Sequence, residues 1–113
     1  HVQYGLAVVA RRAQAEVRDE ARGALKRAIE VEFRKLLAER EQACDDLAAA
    51  RRYAVTTEGE ARRIAADMVS NGMRLVRDLN EEIEAVSDVL RELWDKADVW
   101  IERMVETHGH CAQ

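Results

Sequence analysis

The sequence predicts an all-α protein, folded as a long antiparallel helical hairpin of coiled-coil type that a partner helix or a second copy completes. Two observations indicate this fold class. The 113 residues include no proline and are rich in alanine, glutamate, arginine, leucine and valine, a composition typical of long helices. Weak helix formers gather near the midpoint, in the segment VTTEGE at 55–60, where a reversal gives two arms of nearly equal length.

The first helix is predicted over about 6–54, and it carries two apolar stripes in different phases. The first stripe, here called the N-terminal seam, consists of mostly small residues at alternating spacings of three and four: Ala7, Ala10, Gln14, Val17, Ala21, Ala24, Ala28 and Val31. From about Ile29 the apolar positions move to Phe33, Leu36, Ala43, Leu47, Ala50 and Ala54, with Arg40 as a polar member. Such a phase shift changes the local supercoil of a coiled coil. We interpret Arg40 as packing its stem while its guanidinium reaches solvent.

The turn is predicted at about 55–57. Val55, Thr56 and Thr57 are consecutive β-branched residues, which are poor in helix interiors. Thr57 and Glu60 have the spacing of a capping box, in which each side chain caps the backbone amide of the other residue. This segment therefore predicts the end of one helix and the start of the next.

The second helix is predicted over about 58–107, because a heptad pattern runs through it without a slip. Its members are Ala65, Val69, Gly72, Val76, Leu79, Ile83, Val86, Leu90, Leu93, Ala97, Trp100 and Met104. A pattern sustained over five heptads indicates a coiled-coil seam. Gly72 is its weak point, and we interpret it as a kink, since the heptad phase is the same on both sides.

A hairpin folded near Thr56 pairs residues whose numbers sum to about 113. The small residues of the N-terminal seam then face bulky residues of the second helix, with Ala10 near Met104 and Ala21 near Leu93. Large side chains against small ones give the close packing that a helix interface needs. Two alternatives stay open: a straight helix that dimerises in parallel, and a bundle with an extra break at Ser70–Gly72.

Further apolar residues widen the second helix beyond one seam. Met68, Leu75 and Val89 lie on one flank of the heptad stripe, and Trp94 and Ile101 lie on the other. These five residues are the candidate partner-binding positions, since a surplus of apolar surface predicts a further helix from a second copy or another protein.

Four arginines stand on either side of the predicted turn: Arg51, Arg52, Arg62 and Arg63. In a hairpin they form a basic tip that suits a polyanion, such as nucleic acid or an acidic filament surface. Ordinary solvated helix faces with i, i+4 ion pairs are the favoured explanation of these arginines. The formal net charge of −4 favours a protein partner over nucleic acid or an anionic membrane.

The sequence predicts no catalytic site, no cofactor and no metal centre. The segment HGHC at 108–111 places two histidines and a cysteine close together, but no second ligand pair completes a structural zinc site. There is no H-E-x-x-H motif and no Glu-x-x-His pair of the di-iron type. We therefore predict a protein that is not an enzyme.

The two cysteines, Cys44 and Cys111, bear on the cellular compartment. In a straight-armed hairpin they lie ~60 Å apart by helix rise, which excludes an intramolecular disulfide. Two unpaired cysteines indicate a reducing compartment and predict a cytoplasmic, intracellular protein. No apolar run approaches the ~20 residues that a membrane span needs, so no membrane partner is expected.

Residues 1–113 are thus expected to form a single coiled-coil hairpin domain. Because the chain begins with His1, we expect it to be a fragment of a longer protein. The predicted function is a non-catalytic structural module for protein–protein interaction or oligomerisation. The alternative is a hairpin arm whose basic tip contacts nucleic acid or an acidic filament, such as a cytoskeletal polymer.

Overall fold

The computed structural model describes residues 2–94 and 97–108 of the chain, and it is an elongated all-α hairpin measuring 87 × 22 × 15 Å. Helix α1 spans Val2–Thr56 and helix α2 spans Gly59–Leu93. A third helix, α3, spans Ala97–His108. The hairpin predicted from the sequence is confirmed, and both the straight continuous helix and the bundle broken at Ser70–Gly72 are wrong.

The side-chain hydrogen bonds at the bend differ from those of the predicted capping box. The hydroxyl of Thr57 donates to the carbonyl of Tyr53 at 2.9 Å, and the hydroxyl of Thr56 donates to the carbonyl of Arg52 at 3.2 Å. The two threonine hydroxyls therefore add side-chain hydrogen bonds to carbonyls near the end of α1. Glu58 is the N-cap of α2 and makes no side-chain capping bond. Gly59 completes the reversal at φ +62°, a left-handed conformation that glycine adopts without steric cost.

The core lies along the face where α1 meets α2. Its largest fully buried side chains are Phe33 and Leu37 from α1, with Val76 and Leu90 from α2. Full burial of a side chain of this size is worth about 1.5–3 kcal/mol. Phe33 belongs to the second apolar stripe of α1, and Val76 and Leu90 belong to the heptad stripe of α2. Leu37 lies beside the predicted stripe and is buried as well.

Helix α2 continues through Gly72 without a break. A Cβ atom at that position would stand 3.2 Å from Cδ1 of Leu47 on α1. The glycine therefore allows a close approach of the two helices, which offsets its ~1 kcal/mol cost in a helix interior.

The register of the hairpin is shifted from the predicted one. Arg40 donates from Nη1 to Oδ1 of Asn80 at 3.1 Å, and Arg22 donates from Nη2 to the carbonyl of Leu93 at 3.1 Å. The residue numbers in these pairs sum to 120 and 115 instead of 113. The contact of Arg22 also caps the C-terminal end of α2, where unpaired carbonyls attract a cation.

Helix α3 folds back along the hairpin, where the sequence pattern had predicted a continuation of the second helix to about 107. The ring centroids of Trp100 and Phe33 are 5.7 Å apart, and those of Trp94 and Trp100 are 5.1 Å apart. The ammonium of Lys26 lies 4.6 Å from the centroid of Trp94, and Arg34 lies over Trp100. Helix α3 thus runs parallel to α1 and covers one flank of the hairpin.

The end of α2 is marked by Trp94, which has extended backbone angles of φ −138° and ψ 121°. Since the chain turns back here, Met104 cannot face Ala10, and that predicted pairing is wrong. The heptad spacing of Leu93, Ala97 and Trp100 runs across the boundary between two helices. Because the heptad pattern keeps its phase across this boundary, it does not indicate that α2 ends here.

The reversal leaves the first part of α1 beyond the body of the hairpin. Helix α2 ends opposite Arg22, so residues 2–21 of α1 extend past it by ~30 Å. Within 5–21, where side chains are described, none is buried. The N-terminal seam is therefore exposed instead of packed against the second helix.

Candidate functional site

The main candidate site is an apolar surface on the flank of the hairpin that α3 leaves open, here called the open flank. Its centre is a groove of about 410 Å³ between α1 and α2, lined by Ala28, Ile29, Glu32, Ala85, Val86 and Val89. Val89 is 42% exposed although aliphatic residues surround it. Apolar grooves of this kind accept the side chains of another helix.

The open flank continues from the groove onto the N-terminal seam. Ala28 belongs to both, and the seam runs from there to Val17, which is 65% exposed, and on to the region of the exposed Leu6 and Val9. By helix periodicity the seam is rotated by roughly 90° around α1 from the stripe that packs on α2. The seam therefore presents its apolar residues to the side of the hairpin, where no described helix of the chain covers them.

Three of the predicted partner-binding residues lie on this flank. Met68, Leu75 and Val89 are all exposed, and their spacing of seven and fourteen residues keeps them on one side of α2. The structure thus brings them into line with the groove. Their contact with a partner stays a prediction.

The other two predicted partner-binding residues lie inside the chain's own fold. Ile101 is 3% exposed in the core, and Trp94 is half-buried against it. Both residues contact the chain's own fold, since α3, which carries Ile101, turns back and covers this flank of the hairpin. Only the open flank still lacks such a helix among the residues that the structure describes.

The sequence identifies the N-terminal seam as an apolar stripe, but the prediction that this stripe packs against the second helix is wrong. The N-terminal seam and the stripe of Phe33 and Leu47 differ in phase, so they cannot both face one straight helix. That difference marks the seam as a separate surface. The prediction that the seam packs against α2 did not take this difference in phase into account.

The four arginines of the predicted basic tip are all exposed at the bend. Arg51 and Arg52 lie in the last two turns of α1, and Arg62 and Arg63 lie in the first two turns of α2. Nη1 of Arg63 is 3.9 Å from Oε2 of Glu60, a solvated pair that contributes little to stability. The structure therefore gathers the four positive charges at one end of the rod.

Arg40 is buried at 5% exposure, so the prediction that its guanidinium reaches solvent is wrong. Burial lowers the pKa of the Arg40 guanidinium from its usual range. The hydrogen bond to Asn80 compensates part of the cost of burying this charge. Asn80 is the residue that sequence reasoning missed here, because the shifted register brings it opposite Arg40.

Cys44 is disulfide-bonded, which overturns the expectation that the hairpin excludes an intramolecular bond. Within one chain the sequence offers one other cysteine, Cys111, which lies outside the described residues. The earlier distance assumed that the second helix runs straight to about 107. Because α3 instead returns toward the middle of α1, that distance does not apply.

The part of the chain that the structure describes contains no cluster of three or more histidine, cysteine or acidic residues arranged to hold a metal ion. The side chains of the HGHC segment at 108–111 lie outside that part. Among the described helices, none has a stretch long and apolar enough to cross a membrane.

Comparisons with protein-family models, with curated proteins and with solved structures found no match to this chain.

Proposed function

We propose that the chain is a non-catalytic structural module that associates with another protein chain through the open flank. The observation that carries this proposal is the N-terminal seam, a heptad-spaced apolar stripe that projects past the end of α2. A stripe of this periodicity gains free energy when a second helix covers it.

The stiffness of the hairpin supports the same function. The core residues of α1 and α2 are buried over most of the length of α2, from Ala65 to Leu90. Interface helices held in shape before binding lose less conformational entropy on association. The body of the hairpin thus holds the groove of the open flank in shape before a partner binds.

We expect the Val17→Glu substitution to weaken association of the chain at least about tenfold. Val17 lies in the middle of the exposed part of the seam, and a buried valine contributes about 1.5 kcal/mol or more. Each 1.4 kcal/mol changes a dissociation constant tenfold. Light scattering coupled to size-exclusion chromatography measures the mass at several loading concentrations.

The matched control is Val55→Glu, which makes the same chemical change at an exposed valine beside the bend. It should leave the association unchanged. If the unaltered chain associates and the Val17→Glu variant associates equally at every concentration, the seam is not the association surface and the proposal fails.

The intracellular location expected from the sequence stays a proposal. The disulfide at Cys44 removes the argument on which it rested, because disulfides persist mainly in oxidising compartments.

A second candidate function is contact between the basic tip and a polyanion, favoured by the grouping of the four exposed arginines at the bend. Replacing Arg51, Arg52, Arg62 and Arg63 together by alanine should then abolish salt-sensitive binding to a nucleic acid duplex or an acidic filament. Helicity measured by circular dichroism should stay the same. Binding that survives these four substitutions would refute the tip function and would leave the open flank unaffected.

A further inference from the structure

We infer that the occupant of the open flank is a second copy of this chain, with the two α1 helices antiparallel over residues 14–31. The inference rests on the proposed function and adds the partner, its direction and its register. In this register, facing seam residues of the two copies have numbers that sum to 45, and the residues that flank the seam pair at sums of 47 on one edge and 43 on the other. Ala21 then faces Ala24 of the second copy, and Val17 faces Ala28 of the second copy.

The position at which α2 ends leaves room for the second copy in this arrangement. In each copy α2 covers α1 only from Arg22 onward, since it ends opposite that residue. In the dimer the projecting arm, residues 5–21, lies along residues 24–40 of the other copy. The two α2 helices then lie on opposite sides of the symmetry axis and do not overlap.

The arm also suits the groove that it would enter. Val17 of the second copy, opposite Ala28, comes beside Val89 on α2. Val17 and Val89 are both exposed in the single chain, so the contact would remove two aliphatic side chains from water in each half of the dimer. The groove has small residues where the arm approaches, which permits close helix packing.

Charge complementarity specifies the direction and register. In an antiparallel coiled coil, the residues that flank one edge of the seam lie opposite the residues that flank the same edge of the seam in the other copy. Glu20 then faces Arg27 of the second copy, and Arg11 faces Glu32 of the second copy. Two-fold symmetry repeats both contacts, which makes four pairs of opposite charge, and Glu32 lies at the rim of the groove.

Neighbouring registers place like charges together. Sliding the copies by one heptad in one direction sets Glu20 against Glu20 of the second copy. Sliding them the other way sets Arg27 against Arg27 and the apolar Val17 against Lys35 of the second copy. That slip also pairs Glu20 with Arg34, so the lost apolar contact is what disfavours it. A parallel, in-register pair sets Arg27 opposite Glu32 of the second copy but places Glu20 opposite Leu25, so it has two pairs of opposite charge instead of four. Opposed like charges disfavour the first slipped register, as in coiled coils that select their partners by flanking residues.

Charge reversal with rescue tests this register. Glu20→Arg and Arg27→Glu should each weaken dimerisation about tenfold, because each replaces attraction by repulsion at two symmetric contacts. The double variant Glu20→Arg/Arg27→Glu should return to within about threefold of the unaltered chain. Glu16→Arg, an exposed change of the same charge away from the seam, is the matched control and should have little effect. A double variant as weak as either single variant would overturn the register.

Cross-linking gives a second readout that does not depend on charge. Chains carrying Ala21→Cys are mixed with chains carrying Ala24→Cys and treated with a short bifunctional thiol reagent, with the disulfide at Cys44 left intact. The register predicts cross-links between the two variants. If each variant on its own instead cross-links with itself in the same yield as the mixture, the two helices are parallel and the inference is overturned. If Val17→Glu dissociates the chain while this pattern is absent, the proposed function stands and only the antiparallel dimer fails.

Discussion

Replacing Phe33 with alanine is expected to lower the free energy of unfolding by about 3–5 kcal/mol, the usual cost of removing a large buried aromatic side chain. Phe33 has no exposed surface and is among the largest fully buried side chains of the described core. Its ring lies against Trp100 of α3, while its neighbours in the core come from α1 and α2. The substitution therefore opens a cavity at the place where all three helices meet.

Denaturant unfolding followed by tryptophan fluorescence measures this loss well, because both tryptophans of the chain, Trp94 and Trp100, lie beside the altered site. The control is Val99→Ala, which shortens an exposed aliphatic residue on α3 and should change stability by less than about 0.5 kcal/mol. If Phe33→Ala were as stable as this control, α3 would not be docked on α1 as described.

Replacing Cys44 with alanine should lower the free energy of unfolding by about 2–4 kcal/mol, since a disulfide restricts the unfolded chain. Cys44 is disulfide-bonded and packs against the core from the middle of α1. Thermal unfolding with and without a reducing agent gives an internal control. The reducing agent should destabilise the unaltered chain by a similar amount and should not affect the Cys44→Ala variant.

An unaltered chain whose unfolding is insensitive to the reducing agent would contradict this prediction. Thiol quantification under denaturing conditions adds an independent check, because a disulfide-bonded chain exposes no reactive thiol until it is reduced. The same measurement on protein isolated from its natural source would report the compartment in which the chain functions.

The hairpin itself could be predicted because several local features agree. The segment at 55–60 combines β-branched residues with glycine, and the apolar stripes on either side have helical periodicity. The hydrogen bonds at the bend could not be predicted from the sequence. Thr57 has the spacing of an N-cap, yet its hydroxyl serves the end of α1, because a threonine between two helices can satisfy either one.

Helix α3 could not be predicted from the heptad pattern, because the phase continues across the break after Leu93. No glycine or proline marks this position. The apolar surplus of Trp94 and Ile101 was interpreted as a surface for a helix of another chain, whereas both residues pack in the chain's own core. That a helix of the same chain covers this flank depends on long-range packing, which local periodicity does not contain.

Burial of Arg40 likewise depends on long-range packing. A long stem at a seam position commonly brings its charge to the surface. Here the shifted register places Asn80 within hydrogen-bonding distance of the guanidinium. The N-terminal seam shows the opposite situation, because the sequence identified its residues correctly and only its neighbour was wrong.

The central claim, that a second chain covers the N-terminal seam, is tested most directly by sedimentation equilibrium of the unaltered chain. One chain has a mass of 12.8 kDa. We predict that the weight-average mass rises with concentration and levels off at twice that value. A mass of 12.8 kDa that stays constant up to the highest attainable concentration would contradict the claim.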